Sequence, residues 1–340
     1  MLILGIESTC DESSAALVEH PRTLLSNVIK SQIEDHQKFG GVVPEVASRL
    51  HLNFLSSTIK EALEQAGKTL ADVDLIAVAN RPGLVGGLLV GTTLAKTLSY
   101  LLNKPLVMVD HLMGHLMAPD LDEPMVYPCV GGIFSGGHSN IYLGQSQHDW
   151  TMLVRTRDDA PGESFDKTAK LLGLPYPGGP ALQKFAEGAD EKAYQLPKPI
   201  PKSLDGDFSF SGLKTAVLYH VKGTNGKEAA PAERYPDLAA SFQFTVAKAL
   251  SERLIQCAVE HEVTHIYVGG GVAANRRLRE VLMDVGKMNK IEVRFPSFDL
   301  CMDNGAMIAR AGGVLFERGE LASLDEDISS RSDFGIEAML

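Results

Sequence analysis

The stretch CVGGIFSGGHSNIYLG, residues 129–144, decides the fold. Two apolar runs, 129–134 and 139–144, flank Ser135-Gly136-Gly137-His138. Short apolar runs parted by a glycine pair read as two strands joined by a tight turn. Residues 2–19, LILGIESTCDESSAALVE, carry the same design about 125 residues earlier, with strands at 2–7 and 14–19 around a polar turn. Each hairpin is followed by an alternation of strands and helices. After the first come a strand near 24–29, an amphipathic helix over 43–66, a buried strand at 73–79, a glycine-rich helix at about 84–103 and a strand at 106–109. In the helix over 43–66, Val46, Leu50, Leu55, Ile59 and Leu63 fall at helical spacing.

After the second hairpin the reading gives a strand near 152–155 and helices near 163–173, 179–188, 210–221 and 233–261. A strand at 265–268, a glycine loop, a helix over 273–286 and a strand at 291–294 follow. A last helix starts near Asp303, and 188–208 reads as an exposed loop. The pattern predicts a duplicated α/β fold. One lobe spans 1–125 and is completed by a C-terminal helix over about 303–340; the other spans 126–302, with a nucleotide cleft between them.

Composition sets limits. The chain has 340 residues, 44% hydrophobic and 22% charged, which is ordinary for a globular protein with two cores. The net charge of −11 argues against gripping nucleic acid by bulk electrostatics. Cys10, Cys129, Cys257 and Cys301 are scattered, with no C-x-x-C pair, so neither a disulfide framework nor a structural zinc site is expected. No secretory signal is visible, and the apolar run 84–95 ends at Lys96, so a buried helix is expected there and a cytoplasmic protein without a membrane span.

His111 and His115 stand at i and i+4, just after a predicted strand. On a helix that spacing puts both imidazoles on one face, within reach of one ion. A zincin helix needs Glu at position 112, and Leu112 removes that metalloprotease reading. Asp303, at the start of the last helix, is the best remote third ligand. Two histidines and a carboxylate with open positions suit one divalent metal ion, Fe(II) first and Zn(II) second. The bland alternative is two unconnected polar histidines on a helix surface.

Three further loops bring backbone N–H groups forward: the 7–13 turn, the 135–138 turn, and Gly269-Gly270-Gly271 before a helix that carries Asn275. Glycines let backbone approach a phosphate closely, and a helix N-terminus favours an anion. Each loop alone is an ordinary turn. Two hairpin tips plus a strand–glycine–helix unit follow the logic of the actin-like, Hsp70-like and sugar-kinase (ASKHA) fold.

The ordered segments GIESTCDE (5–12), GGVVPEVASRLH (40–51), Pro82-Gly83-Leu84, the His111–His115 pair, SGGHS (135–139) and GESFDK (162–167) are specific. So are YPGGP (176–180), FSFSGLK (208–214), GGGVAANRRL (269–278) and CMDNGAMIA (301–309). Over nearly its whole length the chain resembles the TsaD family of tRNA N6-adenosine threonylcarbamoyltransferases. The resemblance implies transfer of threonylcarbamoyl from threonylcarbamoyl-AMP to N6 of adenosine 37 in tRNAs that read codons beginning with A, with AMP leaving. It implies metal ligands at His111, His115 and Asp303. It implies contacts to the intermediate from Phe134, Ser135, Gly136, Gly137, His138, Asp166, Gly179 and Asn275. It also implies two partners, a TsaB-like paralogue and a TsaE-like ATPase. The chain departs from the family pattern at Arg81, where glycine is usual, at Phe134 and Met302, and at Gln183.

The donor is a mixed anhydride with a good leaving group, whereas the adenine N6 lone pair is delocalised. Catalysis is therefore expected from positioning and charge stabilisation. Asp11 or Glu12 is the candidate general base, against an Asx turn as the plain structural reading of Asp11. Lys198, Lys202, Lys214, Arg276, Arg277 and Arg279 are the basic residues available to a tRNA. An ATP-hydrolysing switch or scaffold of the same fold is the competing function.

Overall fold

Strand β1 (Leu2–Glu7) is buried along its whole length. Both faces of such a strand must be covered, which places it inside a sheet with helices on either side. The computed structural model describes residues 1–201, 206–224 and 228–336. The chain divides into two compact units, one formed by 1–125, 145–150 and 296–340 and the other by 126–144 and 151–295.

In the first unit β1 pairs antiparallel with β2 (Glu12–Glu19), and β2 pairs antiparallel with β3 (Thr23–Ser31). On its other side β1 runs parallel to β4 (Leu75–Arg81), which runs parallel to β5 (Leu106–Asp110). The sheet order is β3-β2-β1-β4-β5. The short helix α1 (Ile33–Gln37) precedes α2 (Pro44–Ala66), which starts with Pro at its first position and stops at Gly67, φ 63°. Both are ordinary helix punctuation. Leu55, Ile59, Ala62 and Leu63 of α2 join the apolar core with Leu4, Ile6, Leu17, Ile76 and Val78. Helix α3 (Val85–Leu102) sends Gly87, Leu88, Gly91, Thr92, Ala95 and Ser99 inward. By length and composition alone α3 could cross a membrane. The expected buried helix is buried on one face only, since Val85, Leu89, Tyr100 and Leu101 are exposed.

Helix α4 (His111–Asp122) follows β5 directly, capped by the Asp110 carboxylate, which accepts from Leu112 N at 2.9 Å. An N-cap aspartate satisfies a backbone donor that the helix itself leaves unpaired.

The second unit repeats the plan. Strand β6 (Cys129–Phe134) pairs antiparallel with β7 (Ser139–Ser146), which neighbours β8 (Asp149–Val154). Helices α5 (Pro161–Leu171), α6 (Gly178–Phe185), α7 (Ser211–Lys222) and α8 (Tyr235–Glu260) lead to β9 (His265–Gly269), which runs parallel to β6. A single 3-10 turn (Gly271–Ala274) and α9 (Arg276–Met288) precede β10 (Glu292–Arg294), parallel to β9. The order β8-β7-β6-β9-β10 matches β3-β2-β1-β4-β5 strand for strand. Hairpin, parallel neighbours and edges recur in the same places, as a duplicated fold requires.

The chain then returns to the first unit through α10 (Phe298–Cys301) and α11 (Gly305–Glu317). Asn304 caps α11 by accepting from Met307 N. Helix α11 lies so close to the sheet that a Cβ on Gly5 would sit 2.1 Å from Gly305 O. Only glycine fits at that crossing. The last helix is shorter than the expected 303–340. It stops at Glu317, with Gly319 at φ 77°, and 318–336 form neither helix nor strand. A left-handed glycine there ends the helix as a C-terminal cap does. The rest of that expected span, 337–340, lies outside the described residues, as does Lys202.

Candidate metal centre and the second hairpin turn

Helix α4 brings His111 and His115 together as their spacing predicts, with ring centroids 4.6 Å apart and nearly perpendicular. The short link between α10 and α11 brings Asp303 to them. Its Oδ1 lies 3.1 Å from His115 Nε2 and 3.5 Å from His111 Nε2. One atom from each of the three residues falls within 4.8 Å of the others. Among the described residues His115, a fully buried side chain, finds no hydrogen-bond partner for Nδ1, and its Nε2 faces the Asp303 carboxylate. A buried ring nitrogen without a partner is costly unless something completes it. Two nitrogens and a carboxylate oxygen converging on one point form the donor set of a divalent transition metal, so the residues fit the ion that the sequence implies.

The surroundings tune both rings. Burial alone would lower the His111 pKa, but the carboxylates of Asp303 and Glu7 more than offset it and push it up to about 9. Burial and the neighbouring His111 charge hold His115 below the ordinary histidine range. Glu7, fully buried at the end of β1, makes a 3.0 Å hydrogen bond with His111 Nδ1. Sequence reasoning passed over Glu7. Its signal was a carboxylate ending an apolar strand, where burial demands a partner. Asp110, the cap of α4, was missed as well. Its other oxygen accepts from the Ser332 hydroxyl at 2.6 Å, and burial pushes its pKa up to about 6 in spite of the hydrogen bonds from Ser332 and Leu112.

The β1–β2 turn sits beside this cluster. Asp11 and Glu12 are both buried. Burial, with Asp11 and Asp303 nearby, holds the Glu12 carboxyl well above the usual range. The turn is braced from behind by His51, which faces Ser13 Oγ at 2.7 Å and the Cys10 carbonyl at 3.0 Å. His51 fell inside the quoted motif 40–51 without a role, and the structure gives it one.

In the second unit Phe134, Ser135, Gly136, Gly137 and His138 form the end of β6 and the β6–β7 turn, while Asp166, Gly179 and Asn275 stand on or beside α5, α6 and α9. Ser135 N donates to His138 O at 2.9 Å, and His138 N to Ser135 Oγ at 3.1 Å, closing the turn. Gly162 N donates to Ser135 O at 3.1 Å, which docks the start of α5 on the turn. A Cβ on Gly270 would lie 2.5 Å from Phe134 O, so the loop after β9 presses on the same strand end. Gly136, Gly137 and Gly179 have open space where a side chain would be. Asp166 Oδ1 accepts from Gly178 N at 2.7 Å and so ties α5 to α6. Asn275 caps α9 through Leu278 N and donates to Gln243 Oε1 at 2.9 Å. Gln183 accepts from Arg276 N at 2.8 Å. Of the basic residues, Arg277 pairs with Glu191 at 2.7 Å, Lys198 pairs with Glu252 at 2.6 Å, and Arg279 Nε donates to Ala273 O.

The model of the family TsaD, tRNA N6-adenosine threonylcarbamoyltransferase, matches residues 23–310. The chain belongs to that family. A tRNA N6-adenosine threonylcarbamoyltransferase of Anaeromyxobacter sp. (strain Fw109-5) is 47% identical over 328 residues, 96% of this chain and 97% of the relative. Its counterpart in Staphylococcus aureus (strain JH9) is 43% identical over 325 residues, 95% of this chain and 94% of the relative. Among solved structures, HypF of T. kodakarensis superposes with a TM-score of 0.64 at 16% identity, covering 93% of this chain and 48% of HypF. Component A of the Acidaminococcus fermentans (R)-2-hydroxyglutaryl-CoA dehydratase gives 0.56 at 14% identity, covering 92% of this chain and 98% of that one. These likenesses speak for the fold alone, the duplicated ASKHA type. As a TsaD family member the chain is a transferase, and tRNA is its substrate.

Proposed function

We propose that the enzyme transfers threonylcarbamoyl from threonylcarbamoyl-AMP to N6 of adenosine 37 in tRNAs reading codons that begin with A. The observation that carries this reading, beside family membership, is the convergence of His111, His115 and Asp303 on one point. The three residues would hold one divalent ion, Fe(II) by preference and Zn(II) as the alternative. When bound, that ion supplies Lewis acidity toward the donor's oxygens.

The remaining work falls to the chain's own groups. The Ser135–His138 turn, open above Gly136 and Gly137, has room for a phosphate against the backbone, with Phe134 at its base. Asp166, Gly179 and Asn275 orient the ribose and adenine of the donor. Asp166 and Asn275 are already fixed by hydrogen bonds to Gly178 N, Leu278 N and Gln243, which favours positioning over mobility. Asp11 or Glu12 takes the N6 proton late in the transfer. Burial, which raises the Glu12 pKa, makes its ionised form a stronger base than an exposed carboxylate. An anticodon loop can present a single unstacked base to such a site. Arg277 and Lys198 are engaged with acids, and the chain is acidic overall, so tRNA contacts from a TsaB-like paralogue and a TsaE-like ATPase complete the reading. The cytoplasm, where tRNA is modified, is the compartment proposed.

The test supplies synthetic threonylcarbamoyl-AMP and unmodified tRNA to the purified chain, with and without the two partners. The readout is nucleoside mass analysis together with AMP release. Threonylcarbamoyladenosine at position 37 with equimolar AMP is expected. AMP release that leaves the tRNA unchanged in every combination would sink the proposal and favour the nucleotide-hydrolysing switch.

A further inference from the structure

We propose that Glu7 is the positioning residue of the metal centre: it keeps a proton on His111 Nδ1, so that Nε2 offers its lone pair beside His115 and Asp303. The inference rests on the metal reading above and concerns a residue outside the ligand set.

The argument is one of donors and acceptors. Glu7 is fully buried and sits where β1 ends. Its Oε1 accepts from Thr9 N at 2.6 Å, and its Oε2 lies 3.0 Å from His111 Nδ1. Thr9 Oγ1 lies 3.2 Å from the same nitrogen. An ionised carboxylate only accepts, so a ring nitrogen facing it must donate. When a metal displaces the Nε2 proton, the remaining proton stays on Nδ1 against the carboxylate and the lone pair on Nε2 is the one offered. Nε2 is the nitrogen that faces Asp303 Oδ1, at 3.5 Å. Geometry and tautomer therefore agree on one ligand atom. A carboxylate behind a ligating histidine also fixes the ring's orientation and raises its basicity.

Glutamine at position 7 keeps the shape and breaks the logic. Its amide has one acceptor and one donor group, whereas both Glu7 oxygens face donors. If the amide oxygen stays with Thr9 N, its NH2 faces His111 Nδ1. The ring must then accept at Nδ1 and carry its proton on Nε2, where it blocks the metal. If the amide turns round, Thr9 N is left unpaired in the interior and the β1–β2 turn loosens.

The experiment measures Zn²⁺ affinity of the full-length protein by competition with a chromophoric chelator. Wild type, Glu7→Gln, His111→Ala and the double variant are compared, with thermal melting as a check on folding. Glu7→Gln is expected to weaken zinc binding by about 10–100-fold. In the His111→Ala background the same change is expected to do nothing further, because Glu7 acts through that ring. Equal zinc affinity in wild type and Glu7→Gln overturns the inference, and so does a loss of equal size in both backgrounds. A wild type that binds no zinc overturns the metal reading itself, a distinct result. Should Glu7→Gln fail to fold, ¹⁵N spectra of the zinc-loaded wild type decide. A proton on His111 Nδ1 supports the assignment, and a proton on Nε2 defeats it.

Discussion

The two hairpins occupy the same place in two sheets of the same order, yet their turns differ in what their tips leave open. The β1–β2 turn is walled in. A Cβ on Gly87 would lie 2.3 Å from Ser8 O, and one on Gly83 would lie 2.8 Å from Thr9 O. His51 holds its far side. The β6–β7 turn is packed on one side too, where a Cβ on Gly162 would lie 2.8 Å from Gly136 Cα, but the Cβ positions of its own Gly136 and Gly137 meet nothing. One turn fixes carboxylates in a buried setting beside a histidine pair, while the other offers bare backbone. Duplication supplied two equivalent frames, and their division of labour lies in whether the turn is packed or open. That is the distinction between a group that must not move and a surface that must admit a ligand.

The largest break in the comparison comes from the packed side. His115→Ala removes a fully buried imidazole from the proposed metal site, and transfer activity is expected to fall more than about a hundredfold, beyond the range for losing an outer-shell partner. Zinc stoichiometry near zero in the variant, with its melting temperature little changed, is the check. Next come the glycines. Gly87→Ala should cost about 1–3 kcal/mol in urea unfolding, because the new methyl meets the Ser8 carbonyl. Gly136→Ala should stay within about 0.5 kcal/mol of wild type, since its methyl meets no protein atom. Its effect should appear instead as weaker binding of the adenylate, read by calorimetry. Equal stability losses at the two sites would erase the distinction between a packed turn and an open one.

Much of this was legible in the residues because it rests on local rules. The i, i+4 histidines needed only a helix after a strand. The two hairpins announced themselves by apolar runs around polar or glycine tips. Asp303 was reachable as a carboxylate at a helix start and by resemblance, but its approach to the pair depends on how α11 crosses the first sheet at Gly5. Close helix–sheet crossings of that kind are tertiary, and periodicity does not encode them. Glu7 and His51 were hidden for the same reason. A buried polar side chain is explained by the partner it finds, and here the partners lie 104 and 38 residues away. The tail beyond Glu317 has no apolar period to read, and across 318–336 it is held by polar contacts to Asn80, Arg81 and Asp110 with Ala322 set against the apolar core.

Asn275 tests whether a cap and a ligand contact can be separated. Its Oδ1 accepts from Leu278 N and its amide donates to Gln243, so Asn275→Ala should cost about 1 kcal/mol, the usual loss of an N-cap. Asn275→Ser retains a capping oxygen and should recover most of that stability. If adenylate affinity recovers along with it, Asn275 contributes through α9 alone. If affinity stays low, the amide itself contacts the donor.

The smallest expected effect concerns Arg81, at the end of β4. Its guanidinium lies 3.6 Å from Glu326 and 3.6 Å from Asp333, so it straps the tail to the end of β4. Asn80 assists, since its backbone carbonyl accepts from Ser329 N. Ser332 in the same tail donates to Asp110, the cap of α4. Arg81, Asp110 and Phe334 line one cavity of about 270 Å³. Half-exposed ion pairs at this distance are worth only about 0–1 kcal/mol, so Arg81→Gly should hardly move the melting temperature. Hydrogen exchange resolves what melting does not. Amides near 326–333 should exchange faster in Arg81→Gly, while those of α4 should not, because Asp110 keeps its own bond to Leu112 N. Faster exchange along α4 as well would mean that the tail, and not the cap alone, holds the histidine helix in place.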